Sequence, residues 1–138
     1  MNTHKTKIQL RFADIDLLGH VNNARFASFM EIARVQFFRD VMKRPINWTE
    51  DGLIVARLET DFLIPVFFQD ELIVEVWVSQ FGQKSFTVEY RFVVEGDAGP
   101  ILKAKGKSVM VAFSYKENRS IPVPEWWIEQ IEAFQQGK

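Results

Sequence analysis

The chain has 138 residues, of which 47% are hydrophobic and 25% charged, with a formal net charge of -1. That length suits one domain with a real core, and nothing in the near-neutral balance recommends nucleic acid or an anionic membrane as a partner. The absence of cysteine excludes a thiol nucleophile, a disulfide framework and a thiolate zinc site together.

Thirteen Phe and four Trp point to a bulky core, an apolar ligand channel or a subunit interface. The N-terminal MNTHKTKIQL has no apolar signal-like stretch, and no segment reaches membrane-spanning length. A single cytoplasmic domain over residues 1–138, with no membrane or nucleic-acid partner, is the expectation.

Ile8, Leu10 and Phe12 alternate with Lys7, Gln9 and Arg11, the period of a half-buried strand. A polar cluster follows, in which ten residues from Asp14 to Asn23 hold two carboxylates, an imidazole and two carboxamides. From about Asn23 to Lys43, Phe26, Phe29, Met30, Ala33, Phe37 and Val41 recur at spacings of three and four and mark a helical face. Ile32, Val35 and Phe38 widen that face and predict burial on more than one side. Pro45 and the polar residues 47–52 end the helix.

Strands come next. Leu53–Phe62 is rich in β-branched and aromatic residues, up to the interruption at Pro65. Leu72, Val74, Val76 and Val78 alternate with Glu71, Ile73, Glu75 and Trp77, and Phe86, Val88, Tyr90, Phe92 and Val94 are interleaved with Ser85, Thr87, Glu89 and Arg91. Residues 96–100 are a turn on chemistry alone. The run from Ile101 to Tyr115 carries Lys103, Lys105 and Lys107 on what reads as a solvated side. Pro122 and Pro124 open a short helix bearing Trp126, Trp127, Ile128, Ile131 and Phe134. Hairpin-length connections imply an antiparallel sheet, so the class is α+β with one long helix against that sheet.

The polar cluster sits where a strand gives way to a helix N-terminus. Such an end has unpaired N–H donors and favours negative charge. A carboxylate beside it can activate water or attack a carbonyl, while the N–H groups stabilise the resulting oxyanion. Both carboxylates follow a strand, where Asp favours turns, and Asp14 reads chiefly as a turn residue. His20 is placed to orient the carboxylate or to hydrogen-bond a substrate. Asn22 and Asn23 are candidate helix caps. A calcium loop is excluded, because its fifth and twelfth positions would be Leu18 and Arg25. Asp16 and His20 as metal ligands lack an evident third partner, so neither metal nor cofactor is expected. Glu31 and Arg34 read as a surface or interface ion pair.

The strand, the D-x-D-x-x-G-H-V-N-N run and the helix ARFASFMEIAR together resemble the hotdog-fold acyl-CoA thioesterases of the 4-hydroxybenzoyl-CoA thioesterase type. DFLIPVFFQDELIVEVWV and KSFTVEYRF are also similar to that family, so the resemblance covers nearly the whole chain. It implies an antiparallel sheet wrapped around one central helix, a homodimer or homotetramer, and a site between subunits. It places the catalytic carboxylate on Asp16 and the carbonyl-polarising N–H in the turn Asn23–Phe26, with His20 and Asn23 as further catalytic candidates and Asn22, Ala24 and Phe26 at the substrate. The H-V-N-N run is similar to that of acyl-carrier-protein thioesterases of the same fold, although those carry an additional Asn where this chain has Leu18.

By resemblance Lys84 and Ser85 are candidates to contact coenzyme A, and Glu59 is a further strand residue that could line the site. The implied reaction is hydrolysis of an acyl-CoA or acyl-carrier-protein thioester. A non-catalytic acyl-thioester-binding or regulatory module on the same fold is the alternative.

Overall fold

The computed structural model describes residues 1–137. The elements run β1 (His4–Ile8), a 3-10 turn (Phe12–Asp14), α1 (Arg25–Val41), β2 (Gly52–Phe62), β3 (Leu72–Phe81), β4 (Ser85–Gly96), β5 (Gly99–Ser114), β6 (Arg119–Ser120) and α2 (Glu125–Gln135). The sheet order is β1-β3-β4-β5-β2, with the two-residue β6 added to β5. Every pairing is antiparallel, as the short connections require. No helix among the described residues is long and apolar enough to cross a membrane.

The alternation read from β3 and β4 is what builds the core. Leu72, Val74 and Val76 and, beside them, Phe86, Val88, Tyr90 and Phe92 are all buried on one face. Helix α1 lies on that face through Phe26, Phe29, Met30, Ala33 and Phe37. Helix α2 contributes Trp127 and Ile131, and Trp127 meets Phe38 at a ring separation of 6.1 Å.

Three local expectations are corrected. The first strand ends at Ile8, and Phe12 is 82% exposed in the 3-10 turn that follows. Ile32 and Val35 are exposed although Phe38 is buried, so α1 has one buried stripe and one bare apolar flank. Lys103 is buried while Lys105 and Lys107 face solvent. The cause is a bulge: Phe92 pairs with Ala104 and Val93 with Leu102, so Lys103 drops out of register and turns inward.

Gly106 sets how closely α1 can approach the sheet. An added Cβ there would stand 1.9 Å from Met30 Cε and 3.0 Å from the Glu59 carbonyl oxygen. Met30 is fully buried, so its side chain can give way only by repacking within the core. Gly106→Ala is therefore expected to destabilise the fold by about 1–3 kcal/mol in chemical denaturation, the range for overpacking.

Candidate active site

The residues 15–21 form a tight loop closed by a bridge between Ile15 and Val21. The Asp16 N–H donates to the His20 carbonyl at 2.8 Å, and the Gly19 N–H to the Asp16 carbonyl at 3.0 Å. Gly19 takes a φ of +82°, the left-handed region where a Cβ is strained. Oxygen Oδ1 of Asp16 accepts from the N–H groups of Leu18 at 2.9 Å and His20 at 3.3 Å. Its Oδ2 has no partner among the described residues. The carboxylate is thus held by one oxygen, and the other is open to solvent.

Asp14 has the opposite environment. It is 1% exposed, accepts from the Arg11 N–H at 2.9 Å and the Arg11 guanidinium at 3.1 Å, and lies 3.6 Å from Arg25 Nε. Burial alone would raise its pKa, but the hydrogen bonds from Arg11 and the charges of Arg11 and Arg25 outweigh it and hold the carboxyl below the usual range. The turn reading of Asp14 is what the geometry displays: an ionised anchor inside the loop.

The amides at the start of α1 can be accounted for one by one. The Val21 N–H donates to the Val66 carbonyl and the Asn22 N–H to the Asp14 carbonyl. The Ala24 N–H donates to Asn22 Oδ1 at 2.9 Å, and those of Arg25 and Phe26 to the carbonyls of Asn22 and Asn23. Only the Asn23 N–H in this run has no acceptor among the described residues. Asn22 Oδ1 thus takes up the Ala24 amide just before α1, which leaves the Asn23 amide as the free donor of this turn.

Asp16, His20, Asn22, Asn23 and Phe26 line one cavity of about 410 Å³, closed on its far side by residues 62–66. Phe26 is the apolar floor, in edge contact with Phe62 and Phe92 at ring separations of 5.1 and 5.0 Å. The His20 ring packs edge-on against Phe67 at 5.1 Å, and it is the His20 backbone, not the imidazole, that bonds Asp16. Lys103, read from the sequence as a solvated residue, donates from Nζ to the Pro65 carbonyl at 2.9 Å and so pins the wall of the cavity. Nothing in the strand alternation signals this, because a bulge is invisible in a period-two pattern.

Three other candidates lie elsewhere in the protomer. Glu59 is exposed on β2 in an ion pair with Arg57, outside the cavity of its own protomer. Lys84 and Ser85 stand at the opposite end of the sheet. Ser85 pairs with Val111, whereas the cavity end pairs Phe92 with Ala104; the seven register positions between Ala104 and Val111 amount to about 23 Å of strand. Among the described residues no three His, Cys, Asp or Glu side chains cluster as metal ligands would.

Residues 10–131 match the thioesterase-like superfamily. The chain is 26% identical over 121 residues to an acyl-acyl carrier protein thioesterase of Arabidopsis thaliana, covering 84% of this chain and 62% of that one. It spans about six tenths of the length of the curated relatives it matches first. Among solved structures, a thioesterase from Thermus thermophilus complexed with coenzyme A and zinc is 37% identical, with a TM-score of 0.80 over 96% of this chain and 94% of that one. A 4-hydroxybenzoyl CoA thioesterase complexed with 4-hydroxybenzoyl CoA shares the fold at a TM-score of 0.86, with 17% identity over 95% of this chain and 99% of that one. With its antiparallel sheet laid around a central helix, the chain belongs to the hotdog-fold, thioesterase-like superfamily.

Proposed function

We propose that the chain hydrolyses acyl thioesters, releasing coenzyme A or an acyl-carrier protein as the thiol. The observation that carries this reading is the free Asn23 amide at the same cavity as the unpartnered oxygen of Asp16. The substrate carbonyl oxygen accepts from the Asn23 N–H. Asp16 takes a proton from water as the water oxygen bonds to the carbonyl carbon, or attacks directly to give an anhydride that water then opens. The oxyanion is stabilised by that N–H and by the positive end of α1. Its collapse breaks the C–S bond: on the water route the sulfur takes the proton held by Asp16 and the carboxylic acid is released, and on the direct route the sulfur leaves as thiolate and the water that opens the anhydride supplies its proton. Asn22 positions the turn so that Asn23 stays free, Phe26 supports the acyl group, and the His20 ring is left to meet the substrate.

The active unit in this reading is a pair of chains. Strand β2 is bonded to β5 on one side only, and along it Ile54, Val55, Leu58 and Phe62 are exposed, as are Ile32 and Val35 of α1, of which Val35 lines one cavity with Leu53 and Val55. A bare apolar edge is a liability that a second copy removes by antiparallel pairing about a two-fold axis. Pairing centred on Arg57 and Leu58 sets the Leu53 end of one strand beside the Phe62 end of the other. It thereby brings Lys84 and Ser85 of one protomer toward Asp16 of its partner, which supports their role at the coenzyme A portion.

Hydrolysis is tested with a panel of acyl-CoAs and a thiol-reporting dye. Asp16→Asn is expected to lose about 10²–10⁴-fold in turnover, the contribution of a general base, with unchanged thermal stability; retention of activity would remove Asp16 from the mechanism. Asn23→Pro deletes the free N–H at a helix start that tolerates proline, and is expected to lose about 10²–10³-fold. Asn23→Ala, which keeps the N–H, should stay near wild type.

Asp14→Asn is expected to lower stability by about 1–3 kcal/mol at neutral pH. Because the folded pKa lies below the unfolded one, the wild-type advantage is full above about pH 4 and fades as pH falls through the folded pKa. Denaturation at pH 7 and pH 3 reads the difference. Sedimentation should give twice the 16.1 kDa chain mass, and Leu58→Asp should yield monomers that have lost turnover.

A further inference from the structure

A second, larger cavity of about 880 Å³ lies beside the C-terminal half of α1, at the Leu53 end of β2. Its walls are apolar, with Phe38, Met42, Trp48 and Met110 among them. Arg34 also lines it, although only 9% of that residue is exposed. Expected from the sequence to pair with Glu31, Arg34 forms no ion pair with any carboxylate among the described residues. Its one hydrogen-bond partner is a phenol: Nη1 donates to Tyr90 Oη at 3.1 Å. Tyr90 Oη lies 2.7 Å from Ser108 Oγ, which in turn donates to Met110 Sδ at 3.5 Å.

Every member of that chain beyond Arg34 is neutral. Burial holds the Tyr90 phenol above its ordinary pKa despite the neighbouring guanidinium, so no phenolate balances the charge. A buried cation without a counter-charge is unfavourable unless an anion completes it. The rim repeats the bias. Arg39, Lys43 and Arg44 join Arg34 on the lining against the single carboxylate of Glu31, and among the described residues of the protomer none of the four is paired with an acid. Arg39 bonds Gln36, and Arg44 lies over the Trp126 ring at 4.1 Å. This happens in a chain whose net charge is -1.

We propose that this cavity receives the far end of the acyl group, that this end carries a carboxylate, and that Arg34 is the residue that selects for it. The proposal rests on the hydrolase reading and on the pairing along β2. That pairing sets the Leu53 end of one protomer beside the Phe62 end of its partner, so an acyl chain starting at Asn23 of one protomer runs into the large cavity of the other. The apolar walls take the methylenes, and the guanidinium takes the terminal oxygens through its remaining donors. The substrate class is therefore the mono-thioester of an α,ω-dicarboxylic acid.

Matched CoA thioesters of dicarboxylic and monocarboxylic acids, hexanedioyl against hexanoyl and upward to twelve carbons, supply the test. At the best-fitting length the wild type is expected to favour the dicarboxylic member by about 10- to 100-fold in kcat/KM, the scale of a charged hydrogen-bonded contact. In Arg34→Met the ratio should fall to about one or below, and Arg34→Lys should keep part of it. The ratio is taken within each variant, so a change in folded fraction cancels. The same pairs are titrated calorimetrically into Asp16→Asn with and without Arg34→Met. Tighter binding of the dicarboxylic member that vanishes with Arg34 supports the subsite even if no thioester is hydrolysed, an outcome that would defeat the hydrolase reading alone. Preference for the neutral member at every length, or an equal ratio with and without Arg34, overturns the subsite while Asp16-dependent turnover leaves the hydrolase reading standing.

Discussion

Asp14 is a carboxylate with almost no access to water, and its burial is tolerable only because cationic donors meet it there. Arg11 supplies a backbone and a side-chain donor, and Arg25, the first residue of α1, adds its charge from the other side. The Asp14 carbonyl also receives the Asn22 N–H. One residue therefore ties the end of the first strand's extension to the start of the long helix, and the intervening loop has little freedom left. Within that loop the Asp16 carboxylate is gripped by one oxygen, and the amide of Asn23 is the one that finds no acceptor. The reactive-looking groups are open because the structural carboxylate beside them is closed. In the reaction proposed above, this leaves the Asn23 N–H in place as a donor before anything binds.

Helix α1 serves two faces unequally. One stripe carries Phe29, Met30, Ala33 and Phe37 into the core, where the missing Cβ of Gly106 leaves room for the end of Met30. The other flank presents Ile32 and Val35 to solvent beside the unpaired edge of β2. The two cavities stand at opposite ends of that same edge strand, one lined by Phe62 and the other by Leu53 and Val55. An antiparallel two-fold partner would join unlike ends. The exposed apolar edge and the separation of the anionic cavity from the cationic one are thus aspects of one geometry.

The architecture was legible from residue order because it depends on local periodicities. The alternation in β3 and β4, the three-and-four spacing in α1 and the brevity of the hairpins leave few ways to bury so many aromatic side chains. The cluster from Asp14 to Asn23 was equally visible, since its polar groups are consecutive and lie just before an amphipathic helix. Its position could be read, and the turn character of Asp14 with it. The division of labour among the amides could not, because it turns on which carbonyl or carboxamide each N–H meets in space.

What the sequence determined by itself is therefore the set of elements, their antiparallel pairing and the loop that holds the candidate site. What only the tertiary structure decided is which charges lose their water. Lys103 and Arg34 occupy positions that periodicity assigns to solvent or to a surface pair. A one-residue bulge turns Lys103 inward onto the Pro65 carbonyl, and the stacking of α1 over β4 carries Arg34 to the hydroxyl of Tyr90, fifty-six residues away. Sequence patterns report the faces of isolated elements. The burial of a charge depends on how two elements meet, and that is set by packing across the whole chain.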